Sequence, residues 1–272
     1  MSSVVAPTSL VDALAALAAD PSAQVIAGGT DFMVEVNFDH RRPESVVSLH
    51  RIGALRAWLQ DDDTLRIGAG VTCATLEGAP FAMLVPALSQ AARTVGSPQI
   101  RNAATIGGNL ATSSPAGDLL PVLSALDASV TIARAGGERT VSIHDFLVGP
   151  KRNALERGEL VVAVRVPLLP GRQEFLKVGT RNAMVISVAN VAMVHTGERI
   201  NVALGSVGPT VLRTRAAEDW FAARGLDLAA VDDFASRLAQ EARPIDDHRS
   251  SASYRRRAVE VCAARAARRI LG

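Results

Sequence analysis

Hydrophobic and polar positions along the chain alternate between helical stripes and short apolar runs. Leu10, Ala13, Leu14 and Leu17 recur at helical spacing, with Thr8 or Ser9 placed to cap them and Asp12 three residues after Ser9. Pro21-Ser22 ends that unit. Val25-Ile26 then predicts a strand running straight into Ala27-Gly28-Gly29-Thr30-Asp31. Residues 46–49 predict the next strand, and residues 65–72 read as strand, bend, strand. Residues 81–92 predict a helix in which Pro86 is a kink or boundary. A turn at Gly96-Ser97-Pro98 leads to a second glycine loop, Thr105-Ile106-Gly107-Gly108-Asn109. After it come a buried helix over 119–126 and strands over 129–133 and 160–166, the last closed by Pro167.

Leu168-Leu169-Pro170-Gly171-Arg172 reads as a linker. Beyond it the pattern predicts strands near 175–178, 188–195 and 200–207, then helices over 216–223, 226–242 and 253–271. The last helix carries Val259, Cys262, Ala266 and Ile270 as one apolar stripe. Strands followed by helices form an α+β pattern, and 272 residues suit two domains better than one.

Composition narrows the functions available. A chain that is 48% hydrophobic suits a soluble α/β protein and excludes general disorder. It contains no apolar run near the roughly 20 residues of a membrane span. Met1-Ser2-Ser3-Val4-Val5-Ala6-Pro7 has neither the basic region nor the apolar core of a signal peptide, so a cytoplasmic location is expected. Two distant cysteines, Cys73 and Cys262, exclude a cysteine-ligated iron–sulfur cluster within this chain. The histidines at 40, 50, 144, 195 and 248 lack metal-ligand spacing. A net charge of +2 gives nucleic-acid binding little support, although eight arginines crowd residues 243–272. Lys151 and Lys177 are the only lysines among 29 basic residues, which singles out each of them.

A strand that empties into paired glycines brings backbone N–H groups close to whatever lies above the turn, with no Cβ in the way. A diphosphate gains most from such donors, whereas the structural alternative is a tight turn. Two such segments in one chain favour the ligand. Neither fits the dinucleotide fingerprint, since Gly68-Ala69-Gly70 is followed by Cys73 where a third glycine would stand, and no P-loop is present. Asp118 would be repelled by a diphosphate, so its natural partner is a ribose or ribityl hydroxyl; a helix N-cap is the other reading.

These residues resemble the FAD-binding medium subunit of the molybdenum hydroxylases, relatives of xanthine dehydrogenase, aerobic carbon monoxide dehydrogenase and nicotine dehydrogenase. Ala27 to Asp31 resembles the family's first flavin loop. Ile100-Arg101-Asn102-Ala103-Ala104-Thr105-Ile106-Gly107-Gly108-Asn109-Leu110-Ala111 resembles the second, continued by Ser114-Pro115-Ala116-Gly117-Asp118. Phe175-Leu176-Lys177-Val178-Gly179-Thr180-Arg181, Gly205-Ser206-Val207-Gly208-Pro209-Thr210 and the segment from Asp246 to Arg255 match in order, so the resemblance spans nearly the whole chain.

The resemblance implies an α+β fold: a two-subdomain FAD-binding domain of the vanillyl-alcohol-oxidase (PCMH) type over 1–168, divided near 58, and a smaller domain of antiparallel sheet and helices over 169–272. It implies that Val25, Ile26, Ala27, Gly28, Gly29, Thr30, Asp31 and Phe32, with Thr105, Ile106, Gly107, Gly108 and Asn109, wrap the diphosphate of a non-covalent FAD. Asp118 would meet the ribityl or ribose, Val161 would touch the cofactor near the ring, and Lys177 would approach the isoalloxazine, where a cation raises the flavin potential. Molybdenum cofactor and [2Fe-2S] clusters would sit on partners, a large and a small subunit, with NAD or another acceptor taking the electrons. Where the family places an aromatic against the flavin, this chain has Val95, and Phe32 is the substitute, with a core position as its alternative. The arginines of the last helix, Arg255, Arg256 and Arg257 among them, would dock partners or form a solvated face. A free-standing FAD oxidase or dehydrogenase is the competing function, and a flavin-free scaffold a third.

Overall fold

The computed structural model describes residues 3–272, so Met1 and Ser2 of the N-terminal stretch lie outside the described residues. The first unit is a parallel three-stranded sheet. Strand β1 (Ser3–Val5) is followed by α1 (Leu10–Ala19), β2 (Gln24–Ile26), α2 (Phe32–Asn37) and β3 (Ser45–Ser48), with strand order β1-β3-β2. Ser9 starts α1 by accepting a hydrogen bond from the Asp12 N–H at 3.1 Å. Ala13 and Leu17 then turn inward onto a core that includes Val47, Leu160 and Val162.

The second unit is built on an antiparallel five-stranded sheet. It takes β4 (Trp58–Asp61) and β5 (Thr64–Gly68), then a helical excursion through α3 (Cys73–Leu76), α4 (Ala79–Leu84), α5 (Pro86–Thr94), α6 (Pro98–Ala103), α7 (Ile106–Thr112) and α8 (Leu119–Ala125). The chain returns as β6 (Ser129–Arg134) and β7 (Gly137–Ser142), passes α9 (Ile143–Phe146) and the small hairpin β8 (Leu147–Gly149) and β9 (Arg152–Asn153), and closes with β10 (Leu160–Pro167). Strand order is β4-β5-β10-β6-β7.

One local expectation changes here and another is resolved. Residues 65–72 do not form a second strand after the bend; Thr72 makes only an isolated bridge to Thr105 and caps α3 instead. Of the kink or boundary expected at Pro86 within 81–92, the structure shows the boundary: α4 ends at Leu84, and Pro86, with no N–H to continue the ladder, takes a first-turn position of α5.

The third unit is the sheet β11 (Gln173–Gly179), β12 (Ser187–His195), β13 (Ile200–Gly205) and β14 (Leu212–Arg213), followed by α10 (Arg215–Ala222), α11 (Val231–Glu241) and α12 (Ala252–Leu271). Strand β12 is apolar along nearly its whole length because both its faces are covered. Ala192 and Val194 join the core beneath α5 and α8, while Ala189, Val191 and Met193 pack with Val259, Ala263 and Ala266 of α12. The expected helix over 226–242 begins only at Val231, after a short 3-10 turn at Leu228–Ala230.

The arginine run of α12 divides. Arg255 is buried and donates to the carbonyls of Val188 at 2.7 Å and Ser206 at 2.9 Å and to Asp247 at 2.7 Å, so it pins the helix to the sheet and is not available for docking. Burial opposes ionisation of Asp247, but hydrogen bonds from Arg249 and Arg255 hold its carboxyl far below the usual range. Arg256 and Arg257 are exposed, with Arg257 paired to Glu260 at 2.8 Å.

Candidate cofactor site

Strand β2 ends with the Leu49 N–H bonded to the Ile26 carbonyl at 2.9 Å, and the chain then turns at Gly28-Gly29. Gly29 has φ +75, a conformation that side chains disfavour. Gly28 is required for a different reason: a Cβ there would drive into the carbonyl oxygen of Ala103, at the junction of α6 and α7. Among the described residues, none accepts a hydrogen bond from the N–H groups of Gly28, Gly29, Thr30 or Asp31. Thr112 of α7 donates to the Asp31 carboxylate at 3.1 Å and fixes the end of the turn.

The second glycine segment is not a loop. Thr105 caps α7 by accepting from the Gly108 N–H at 3.0 Å, and Ile106 through Thr112 are helical. Its N–H groups are engaged within the protein: Ile106 to Val71 at 3.0 Å, Gly107 to Ala69 at 2.9 Å and Asn109 to Thr105 at 2.9 Å. Gly107 lets the helix lie against β5's continuation, where a Cβ would come within 2.6 Å of that of Ala69. What this segment offers a ligand is therefore side chains and a bare glycine surface. The side-chain amide oxygen of Asn109 is buried without a partner, which a bound hydrogen-bond donor would remedy.

The two segments form walls of a cleft of about 930 Å³, at the upper end of the range for cofactor sites. Val25 through Phe32, Thr105, Gly107, Gly108, Asn109, Asp118 and Val161 all line it. Ile106 does not, because its side chain is wholly inside the core. Lys177 does not either. Unforeseen contributors are Leu49, Ile52 and Leu55, which pack with Leu160 and Val162, and Val185 and Ile186 from the turn after β11. Only long-range packing brings these to the site, so local pattern carries no signal for them. Val95 is on the wall, while Phe32 is both lining and nearly buried, with the Arg41 guanidinium 5.0 Å from its ring centre.

Asp118 does not cap α8 with its side chain. Its carboxylate instead accepts from Lys177 at 2.6 Å, Ser187 at 2.6 Å, Thr94 at 3.1 Å and Asn190 at 3.3 Å. Lys177 also donates to the Thr94 carbonyl at 3.0 Å, and both ion-pair partners are buried. Burial pushes the Asp118 carboxyl upward, and the lysine charge and the hydroxyl donors pull against that shift. Lys177 thus stands behind Asp118, and of the pair only Asp118 lines the cleft. Cys73 is fully buried, with its thiol pushed up to about 12 mainly by burial, which makes it a poor site for covalent attachment. Among the described residues no cluster of His, Cys, Asp or Glu could hold a metal, and no helix is long and apolar enough to cross a membrane.

The residues present fit a dinucleotide: free backbone donors for a diphosphate, an orphaned amide oxygen, and apolar walls for flat rings. Comparison with known proteins agrees. Residues 1–169 match the FAD binding domain in molybdopterin dehydrogenase, and residues 174–270 match the CO dehydrogenase flavoprotein C-terminal domain. The chain is 32% identical over 257 residues to a xanthine dehydrogenase FAD-binding subunit of Escherichia coli O157:H7, covering 90% of this chain and 88% of the relative. It is 30% identical over 258 residues to the carbon monoxide dehydrogenase medium chain of Hydrogenophaga pseudoflava, covering 92% and 90%. Quinoline 2-oxidoreductase from Pseudomonas putida 86 contains a chain of the same fold, with TM-score 0.92 and 27% identity over 99% of this chain and 96% of that one.

Proposed function

The chain belongs to the family of FAD-binding subunits of the molybdenum hydroxylases, and from that premise we propose that it relays electrons between partner subunits and a soluble acceptor. Electrons would arrive from [2Fe-2S] clusters on a small subunit, after a substrate is oxidised at a molybdenum cofactor on a large one. NAD or another acceptor would then remove them. FAD, when bound, supplies the ability to take up and release electrons. The chain's own residues bind and orient it.

In this reading the free N–H groups of Gly28 to Asp31 receive the diphosphate, and Asn109 donates or accepts across from them. Asp118, held by Lys177, Ser187 and Thr94, is a fixed acceptor for a ribityl or ribose hydroxyl. Lys177 acts through that carboxylate, and its charge is largely balanced by it. Val161, Val95 and Phe32 enclose the rings. Residues 1–168 form the flavin-binding domain and residues 169–272 complete it.

The observation that carries a relay over direct substrate oxidation is the state of the carboxylates on the cleft wall. Glu35 has Arg41, Asp118 has Lys177 and Glu159 has Arg139, so three of the four are held in ion pairs, and the fourth, Asp31, accepts from Thr112. An absorbance spectrum with metal analysis on tagged protein from its native host tests this. Flavin accompanied by iron and molybdenum is the expected result. Flavin alone, with no co-purifying chains, would overturn the relay in favour of a free-standing enzyme.

A further inference from the structure

Of the two lysines, Lys177 is absorbed by Asp118, but Lys151 has no place in the reading above. It lies in the turn between β8 and β9, with its N–H bonded to the Ser113 carbonyl at 3.1 Å, so its backbone is fixed at the end of α7. Its side chain reaches toward α2, to one oxygen of Glu35 at 3.4 Å. The other oxygen of Glu35 pairs with Arg41 at 2.8 Å. One carboxylate on α2 therefore joins two cations from opposite sides of the cleft, and all three residues line it.

The arrangement is poorly explained by stability. Lys151 is 65% exposed and Arg41 36%, and ion pairs at such exposure contribute little. Its charge is informative instead. Together with Arg56, which donates only to the neutral His50 carbonyl, Arg41 and Lys151 set three positive charges against the two carboxylates of Glu35 and Asp31, a surplus of one on the lining of the cleft. The other cations near the wall are paired with carboxylates: Lys177 with Asp118 and Arg139 with Glu159.

We propose that Arg41 and Lys151, held across the cleft mouth by Glu35, are a cationic clamp for a nucleotide diphosphate. The proposal rests on the reading of this cleft as a dinucleotide site. The diphosphate is that of the flavin cofactor or that of a nicotinamide acceptor, since both present the same doubly charged group. Charge-assisted contacts from Arg41 and Lys151 then add to the backbone donors of Gly28 to Asp31.

The test uses the full chain stripped of flavin, titrated with FAD and with riboflavin, which has no phosphate, by flavin fluorescence. Arg41→Gln and Lys151→Gln should each weaken FAD by roughly tenfold and leave riboflavin unchanged. Wild-type affinity for FAD should fall more steeply with added salt than that of the double variant. Glu35→Gln, which frees both cations, should keep or tighten FAD binding. Unchanged FAD affinity with weakened NADH binding to the flavin-loaded chain would assign the clamp to the acceptor. Unchanged affinity for both nucleotides would overturn the clamp, as would an equal loss for riboflavin or a loss in Glu35→Gln that matches the others. Matching thermal melts of the flavin-free variants guard against unfolding. Wild-type protein that binds neither FAD nor riboflavin would sink the dinucleotide reading itself, and the clamp with it.

Discussion

The two glycine pairs have nearly the same local sequence and offer a ligand different things. Gly28-Gly29 sits in a turn whose neighbouring N–H groups have no acceptor in the protein, whereas Gly107-Gly108 opens a helix whose donors are all engaged. The first pair offers hydrogen bonds to a ligand. The second removes bulk, so that α7 can lie against Ala69, and Gly28 of the first pair does the same against Ala103. Both pairs thus serve close packing and only the first also leaves backbone donors free, and a matching pair of residues is no guide to that difference. The difference comes from the flanking contacts.

Gly28→Val should have the largest effect on flavin. Its side chain would meet the Ala103 carbonyl and push the two walls of the cleft apart, so purified protein should carry little or no FAD. The flavin-to-protein absorbance ratio checks this, and a normal ratio would break the assignment of the first turn. Gly107→Ala should act on the fold instead. Crowding against Ala69 should cost about 1–3 kcal/mol, read as a lower melting temperature, while the folded fraction still binds FAD. Loss of flavin without loss of stability would reverse the roles given to the two pairs.

How much of this the sequence discloses depends on the range of the interactions. The Ser9 cap, the strand before Gly28 and the doubly covered β12 are local or periodic, and they follow from the residues in order. The helix at 106–112 is hidden because two adjacent glycines argue against helix by propensity, and the backbone contacts to Val71 and Ala69 that hold it come from a distant segment. Asp118 and Lys177 are both identifiable as unusual residues. Their mutual ion pair is not, since 59 residues separate them and Ser187 and Asn190 join from a third element. Arg255 fails for the same reason: within an arginine run it reads as solvent-facing, and only the fold places Val188, Ser206 and Asp247 around it.

A smaller effect sharpens the comparison through the cap of the second segment. Thr105→Val keeps the side-chain volume but removes the hydroxyl that accepts from Gly108. It should cost about 1 kcal/mol, the usual value of an N-cap, and lower the melting temperature accordingly. Flavin affinity should follow stability and fall no further. A disproportionate loss of FAD, measured by titration, would mean that the Thr105 hydroxyl contacts the cofactor as well as the helix.

The smallest effect is expected at Gly29→Ala, and it separates two reasons for a glycine that Gly28 combines with its neighbour. A Cβ on Gly29 would lie 3.4 Å from Ile26 Cδ1 and 3.5 Å from Met33 Cγ, ordinary contact distances, so there is room for it. The penalty is conformational: φ +75 costs an alanine roughly 1–2 kcal/mol, partly offset by about 0.4–1 kcal/mol from a stiffer unfolded chain. The net destabilisation should stay near 1 kcal/mol, with FAD bound at full stoichiometry. If Gly29→Ala lost flavin as completely as Gly28→Val, steric exclusion by Ala103 could not be the reason that the first pair is glycine. The determining feature would then be the left-handed turn itself, which sets the direction of the free N–H groups.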